Sequence, residues 1–260
     1  MNSIYQQAER EESLMNAQRV QQALLPKRRH FNRLFSNSFT FYVPQDLLSG
    51  DFYWIGTKHN LRYLVVGDCT GHGISASLTA VLAINIIEYV IMNKGLKKTT
   101  KILTELDKKF TESFKGSSSN QFNNPWIDIT IVCIDDNLNK LFISSANRKT
   151  LHFSNDNGTQ IYKPSGSPIG AAYFFNTKPF ETMTIDFTSG DRLYLGSDGF
   201  QDQFGGPKDK KYGSKALHRL LEKNNQMSFE EQKECLSQEF VAWKGDNLQT
   251  DDVCIVGIEL

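Results

Sequence analysis

The sequence predicts an α+β fold built on antiparallel sheets, with helices inserted in blocks. Short strand-like segments follow one another through hairpin-sized links, and the helical segments do not alternate with single strands. This order is typical of α+β domains rather than of repeated βαβ units. With 39% hydrophobic and 12% aromatic residues, the 260-residue chain can bury a substantial core.

The N-terminal segment predicts one long helix. Residues 3–25 are rich in Gln, Glu, Ala and Leu, and they contain no Gly or Pro before Pro26. Apolar positions spaced by three or four residues form a narrow stripe: Leu14, Ala17, Val20 or Gln21, and Leu24. Such a stripe packs either on its own domain or on another copy of the chain as a short coiled coil, and both remain open.

Beyond this helix the pattern changes to short strands. They are predicted at 39–43, 51–56, 62–68, 128–135, 140–146, 150–154, 180–187, 191–197 and 253–260. The link 57–61 is short enough for a hairpin, so the strands on either side of it are expected to pair antiparallel. Further helices are predicted at 74–92, 99–114 and 214–243, and a glycine- and serine-rich loop at 116–124. We divide the chain into a linker or regulatory helix, 1–26, and one large domain, 27–260.

Composition excludes several classes of function. The 29 basic and 29 acidic residues cancel, whereas nucleic-acid-binding surfaces are usually basic. The one dense basic patch is interpreted as a solvated hinge: Lys27, Arg28, Arg29 and Arg33. The sequence shows neither a signal-peptide pattern nor a run of 18 apolar residues, so no membrane span is expected. The four cysteines form no CxxC pair, and we expect a cytoplasmic chain with reduced, buried thiols.

Four aspartates lie at predicted strand ends or in tight turns: Asp51, Asp68, Asp198 and Asp251. Carboxylates at the ends of neighbouring strands can converge, and such a cluster of like charges needs a cation to neutralise it. Oxygen ligands without a His or Cys cluster indicate a hard cation, Mg²⁺ or Mn²⁺. Each aspartate alone is also explained as a backbone cap in a turn. The four together favour a metal site.

A glycine-rich helix start follows Asp68. Gly71 and Gly73 flank His72 directly before the predicted apolar helix 74–92. Glycines permit unusual backbone angles there, and a helix N-terminus offers free N–H groups to an anion such as phosphate. No Lys follows the glycines, which excludes a Walker loop. His72 is either a proton donor to a leaving group or a hydrogen-bonded residue at a helix start.

Five blocks in this order carry a family resemblance: AQRVQQALLP at 17–26, LSGDFY at 48–53, VGDCTGHG at 66–73, YLGSDGF at 194–200 and QTDDV at 249–253. Together they resemble the PPM family of metal-dependent phosphatases, in its bacterial SpoIIE-like branch. The resemblance covers about residues 15–260. It implies a four-layer αββα sandwich of two antiparallel sheets flanked by helices.

The resemblance also implies roles for single residues. Asp68 is expected to bridge two metals, with the carbonyl of Cys69 as a further ligand, and Asp51 to hold one of the metals. Asp198 and Asp251 are expected to hold the other metal, and Asp68 and Asp198 are the expected catalytic residues. Supporting or accessory roles are expected at two further positions: Asp252 near the metals, and Asp128 at an acidic position found in part of the family. The helix start itself, rather than the resemblance, indicates Gly71, His72 and Gly73 as substrate contacts. In eukaryotic relatives the histidine lies two residues after the bridging aspartate and here it lies four after, so the resemblance does not carry a general-acid role to His72.

The implied reaction is direct hydrolysis of phosphoserine or phosphothreonine by water held on two divalent cations roughly 4 Å apart, without a cysteine nucleophile. In SpoIIE-like members the substrate is usually a phosphorylated anti-sigma-factor antagonist of the STAS type. The N-terminal helix typically links an upstream sensor module to the phosphatase, and we expect that it can form a homodimer. Two alternatives stay open: a catalytically inactive regulatory or binding module of the same fold, and a metal hydrolase that acts on nucleotides.

Overall fold

The structure, a computed structural model, describes residues 2–115, 125–171 and 178–260, with side chains from residue 6 onward. The predicted loop 116–124 lies outside the described residues. The helices in chain order are α1 (Asn2–Leu24), α2 (Arg28–Leu34), α3 (Gly73–Glu88), α4 (Thr99–Ser113), α5 (Gly199–Asp202), α6 (Ser214–Lys223) and α7 (Phe229–Lys244).

The strands form two five-stranded antiparallel sheets and one small hairpin. The first sheet has the order β1 (Ser38–Val43), β12 (Val253–Glu259), β9 (Arg192–Gly196), β6 (Thr150–Ser154) and β7 (Gly158–Tyr162). The second has the order β2 (Asp51–Lys58), β3 (Leu61–Cys69), β4 (Ile127–Asp135), β5 (Lys140–Ala146) and β8 (Met183–Asp186). The hairpin pairs β10 (Phe204–Gly205) with β11 (Lys210–Lys211).

The layers follow from which faces of the sheets are apolar. The central strand β4 is buried at every position except its last, because the second sheet is covered on one face by α3 and α4 and on the other by the first sheet. The first sheet packs its outer face against α6 and α7 through a separate aromatic-rich core that includes Phe153, Tyr194 and Phe240. The predicted αββα sandwich is therefore confirmed.

Helix α3 runs directly into a π-helical turn, Tyr89–Asn93, and contacts β2 and β3. Within the described residues, Gly73–Asn93 is the one helical stretch long and apolar enough to cross a membrane, and half of its most apolar window is buried. Its small residues Ala76, Ala80 and Ala83 are buried against the sheet. Core helices pass the same length and composition test, so this stretch is weak evidence for a membrane span.

The end of α1 lies against its own domain. Gln21 and Leu25 are buried, and Leu14 lines a groove together with Leu48 and Ile74. Met15 and Val20, which flank this face on its two sides, are exposed. The apolar stripe thus packs at least partly on the same chain, while the dimer stays a prediction.

Most predicted elements are confirmed within one or two residues, including the β2–β3 hairpin. Its turn residues His59 and Asn60 both have positive φ, which matches the twist of a two-residue hairpin.

Three predictions need correction, and one strand was missed. The basic patch is not a hinge, because Arg28–Leu34 forms α2, anchored by the buried Phe31. The predicted helix 214–243 is two helices separated by a turn near Asn225, and a capping box of Ser228 and Glu231 starts the second. Strand β7 was not predicted, since its largely exposed residues show no apolar alternation. Strand β8 is shorter than the predicted 180–187.

Candidate metal centre

Three neighbouring strands of the second sheet place aspartates side by side. Asp51 opens β2, Asp68 lies near the end of β3 and Asp128 lies near the start of β4. The antiparallel register pairs Asp51 with Asp68 and Asp68 with Asp128. Cross-strand neighbours are close enough for their charges to interact directly. One end of this sheet therefore carries a row of three carboxylates.

The first sheet brings two more aspartates to the same place. Asp198 follows β9 and Asp251 precedes β12, and these two strands are neighbours. The hydroxyl of Ser197 donates to Asp51 Oδ2 at 2.5 Å and accepts from the backbone N–H of Cys254 at 3.0 Å. Ser197 thus joins the two sheets at the site. We call Asp51, Asp68, Asp128, Asp198 and Asp251 the aspartate cluster.

The charges of the cluster interact strongly. Burial raises the pKa of Asp51 well above its ordinary value, and the neighbouring charge of Asp68 raises it further. Burial likewise raises the pKa of Asp68, with Asp198 and Asp251 adding to the effect and Arg148 opposing it. The pKa values of Asp128 and Asp251 are also raised, in both cases first by burial. A bound cation would favour the charged form of all of these groups.

Arg148 supplies the positive charge at the centre of the cluster. Its Nη2 contacts Asp68 Oδ2 at 2.6 Å and Asp128 Oδ2 at 2.8 Å, and its Nη1 contacts Asp198 Oδ2 at 2.6 Å. Burial acts to lower the pKa of Arg148, but the three carboxylates raise it more, so the guanidinium stays charged. Asn147 also donates to Asp128 Oδ2, at 2.8 Å.

Asp252 has a different environment from its neighbour Asp251. Its Oδ1 accepts from the N–H of Gln45 and its Oδ2 from the N–H of Gly50, both at 2.7 Å, and the residue is buried. Both carboxylate oxygens thus hold the backbone that leads into β2, one of them at Gly50 directly before Asp51. The supporting role of Asp252 stays a prediction.

The predicted substrate-binding residues lie at the start of α3. Gly71 and Gly73 have φ of +83° and +74°, a left-handed conformation that favours glycine. His72 is the N-cap residue, and its exposed ring lies 3.9 Å from Asp46 rather than inside the cluster. The thiol of Cys69 is buried, and burial raises its pKa well above the ordinary value. A thiol held neutral in this way is a poor nucleophile.

The side chains present fit a hard divalent cation chemically. Their carboxylates supply negatively charged oxygen ligands. Asp128 Oδ1 is buried without a hydrogen-bond partner among the described residues. In the part of the chain that the structure describes, no three His, Cys, Asp or Glu side chains are already placed to hold an ion. The guanidinium of Arg148 lies between three of the carboxylates that would do so.

A cleft of about 100 Å³ opens beside Arg148 and Ser197. Its lining combines apolar side chains, such as Leu151 and Leu217, with the polar groups of Lys149 and His218. The cleft adjoins the aspartate cluster through Arg148, which contacts Asp68, and through Ser197, which contacts Asp51.

Sequence reasoning found the aspartates but missed residues that organise them. Ser197 lies inside the quoted block 194–200 and Arg148 lies outside all five blocks, and only their three-dimensional contacts reveal a role. Gln21 was considered only as part of an apolar stripe. Its side chain instead forms two hydrogen bonds with the backbone of Ser49, two residues before Asp51. A glutamine at a position of an otherwise apolar stripe was the available signal.

Comparisons with known proteins agree with this architecture. The sequence model of the SpoIIE family, described as Stage II sporulation protein E, matches residues 59–260. The SiaA-PP2C domain of Pseudomonas aeruginosa is similar with a TM-score of 0.86 at 25% identity, over 98% of each chain. The PP2C phosphatase domain of SpoIIE from Bacillus subtilis, solved with a fragment of its regulatory domain, gives a TM-score of 0.67 at 16% identity, over 86% of this chain and 63% of that one.

RsbX in complex with magnesium gives a TM-score of 0.59 at 13% identity, over 86% of this chain and 94% of that one. A comparison with curated protein sequences gave no match. The family match covers well over half of the chain, and the two sheets flanked by helices are those of its structural neighbours. The chain belongs to the SpoIIE family of PPM-type, metal-dependent serine/threonine protein phosphatases.

Proposed function

We propose that the chain hydrolyses phosphoserine or phosphothreonine in a partner protein, using water and two divalent cations, Mn²⁺ or Mg²⁺, at the aspartate cluster. The observation that carries this proposal is the meeting of carboxylates from both sheets, with pKa values raised by burial and by one another. The magnesium complex of RsbX, which has a similar fold, supports a hard cation.

Asp51, Asp68, Asp198 and Asp251, with the carbonyl of Cys69, would hold the cations, Asp68 being shared by both. Bound there, the cations would lower the pKa of water and neutralise charge on the phosphoryl group. Ser197 holds the carboxylate of Asp51 in place.

No side chain caps the start of α3, so its first N–H groups are available to an anion, which supports Gly71 and Gly73 as phosphate contacts. His72 lies at the same helix start and is proposed as a substrate contact on the outer rim.

The proposed substrate is a phosphorylated anti-sigma-factor antagonist of the STAS type in a bacterial signalling pathway. Two similar structures support a regulatory protein substrate. One contains the RsbU and RsbW domains of Rv1364c from Mycobacterium tuberculosis, and the other belongs to a study of the bacterial stressosome. We also infer a cytoplasmic location, which the four free cysteines support.

We further propose that 1–26 acts as a linker or regulatory helix, receives input from an upstream sensor module and can form a homodimer. The exposed side chains of Met15 and Val20 are available for such pairing. Sedimentation of the full chain with Val20→Glu is expected to show loss of a dimer. An unchanged oligomeric state would count against pairing through Val20.

The central experiment measures phosphate release from a phosphoserine STAS protein with and without Mn²⁺. Asp68→Asn is expected to abolish turnover, whereas Cys69→Ser is expected to keep most of it. Asp156→Asn, an exposed aspartate in the β6–β7 turn, is the matched control and should behave as the unaltered chain. Activity in Asp68→Asn together with its loss in Cys69→Ser would overturn the proposal. Mn²⁺ binding without turnover would favour an inactive module, and turnover of nucleotides alone would favour a nucleotide hydrolase.

A further inference from the structure

The guanidinium of Arg148 lies where three carboxylates of the aspartate cluster meet. It contacts one oxygen each of Asp68, Asp128 and Asp198 at 2.6–2.8 Å. Because these residues come from both sheets, one side chain bridges the sandwich at the site. The Arg148 side chain is only 12% exposed, so these contacts are shielded from solvent in a way that surface ion pairs are not.

This arrangement satisfies the cluster only in part. One positive charge faces three negative charges, and the rest of the cluster adds further repulsion. Among the described residues, Asp128 Oδ1 and Arg148 Nε are buried without hydrogen-bond partners. A divalent cation carries twice the charge and accepts six or more oxygen ligands, so it can satisfy carboxylates that a guanidinium leaves unpaired.

The backbone around Arg148 is anchored independently of its side chain. The hydroxyl of Ser145 donates to the Arg148 carbonyl, and Asn147 is tied to Asp128 through its own amide. The Arg148 side chain also lines the cleft beside Ser197. The guanidinium can therefore leave the carboxylates for the cleft while the loop that carries it stays in place.

We propose that Arg148 is an internal counter-ion that competes with divalent cations for Asp68 and Asp198. This inference rests on the proposed metal site. Without metal, the guanidinium neutralises part of the carboxylate charge and holds the two sheets together at the site. When a cation binds, it displaces the guanidinium into the cleft. Metal affinity is then set partly by how tightly the protein's own arginine occupies the same oxygens.

The test is direct measurement of Mn²⁺ binding to the metal-stripped full chain by titration calorimetry. Arg148→Ala is expected to bind Mn²⁺ roughly tenfold more tightly than the unaltered chain, since the competitor is gone. Lys149→Ala is the matched control, because it removes one positive charge from the adjacent, exposed position. In EDTA, Arg148→Ala is also expected to melt at a lower temperature, and Mn²⁺ should remove that difference. Arg148→Gln keeps a polar side chain but removes the charge, and it replaces Arg148→Ala in the titration if the alanine variant does not fold.

Unchanged or weaker Mn²⁺ affinity in the Arg148 variants, or an equal gain in Lys149→Ala, would overturn the inference. If the inference failed in this way but the unaltered chain still showed Mn²⁺-dependent turnover, the proposed function would remain intact. If neither the unaltered chain nor any variant bound Mn²⁺, and none released phosphate, the proposed function would fail as well.

Discussion

Replacement of Gln21 by alanine tests whether α1 is part of the catalytic architecture. The Gln21 side chain donates from Nε2 to the carbonyl of Ser49 at 2.6 Å and accepts from the Ser49 N–H at 3.1 Å. Gln21 is 5% exposed and Ser49 is fully buried. The hydroxyl of Ser49 in turn accepts from the N–H of Asp51 at 3.1 Å. A two-point contact from α1 therefore holds the backbone that delivers a proposed metal ligand.

The expected loss of stability follows from the groups left behind. Gln21→Ala leaves the N–H and the carbonyl of Ser49 without partners, and each unpaired buried group costs about 1–3 kcal/mol. With some relaxation and entry of water, we expect the free energy of unfolding to fall by about 2–4 kcal/mol. That is a large share of the roughly 5–15 kcal/mol that stabilises a typical domain. Mn²⁺ affinity should fall too, because Asp51 is held less firmly.

Urea denaturation in EDTA measures the first effect, and calorimetric titration with Mn²⁺ measures the second. Gln22→Ala is the matched control, since that side chain is exposed on the next position of the same helix. The unfolding free energy of the control should change by less than about 0.5 kcal/mol. A loss below about 1 kcal/mol in Gln21→Ala, or equal effects in both variants, would refute the reasoning.

Two further predictions concern Ser197 and the buried pair of His152 and Asp191. Ser197→Ala removes the hydroxyl that holds Asp51, and we expect Mn²⁺ affinity measured by calorimetry to fall roughly 10–100-fold. Ser197→Thr keeps a hydroxyl and should retain much of that affinity. Equal affinity in both variants would contradict this role. Burial lowers the pKa of His152 despite the opposing effect of Asp191, whose carboxylate lies 3.0 Å from Nε2. The folded state therefore binds a proton less readily than the unfolded state, and stability from neutral His152 is present above about pH 6.5 and declines below it. In Mn²⁺-containing buffer, the unfolding free energy of the unaltered chain minus that of His152→Gln should shrink between pH 7 and 5, and a constant difference would show that His152 does not titrate in this way.

Local patterns in the sequence were sufficient for most elements and for the positions of the aspartates. Two short apolar runs and a short link predicted the β2–β3 hairpin, and its register in the structure places Asp51 opposite Asp68. The family blocks predicted the four-layer sandwich, which the structure and its neighbours confirm. Elements whose apolar residues do not recur at a regular helical or strand spacing were missed, as α2 and β7 show.

The four aspartates at strand ends, with the glycine-rich turn after Asp68, were therefore determined by the sequence itself. Only the tertiary structure decided which groups partner them: Arg148 lies 80 residues from Asp68, Ser197 lies 146 residues from Asp51, and Gln21 lies 28 residues from Ser49. The physical reason is that strand and helix formation depends on side chains a few positions apart. Pairing of buried charges depends instead on how two sheets approach each other, and no short pattern in the chain records that distance.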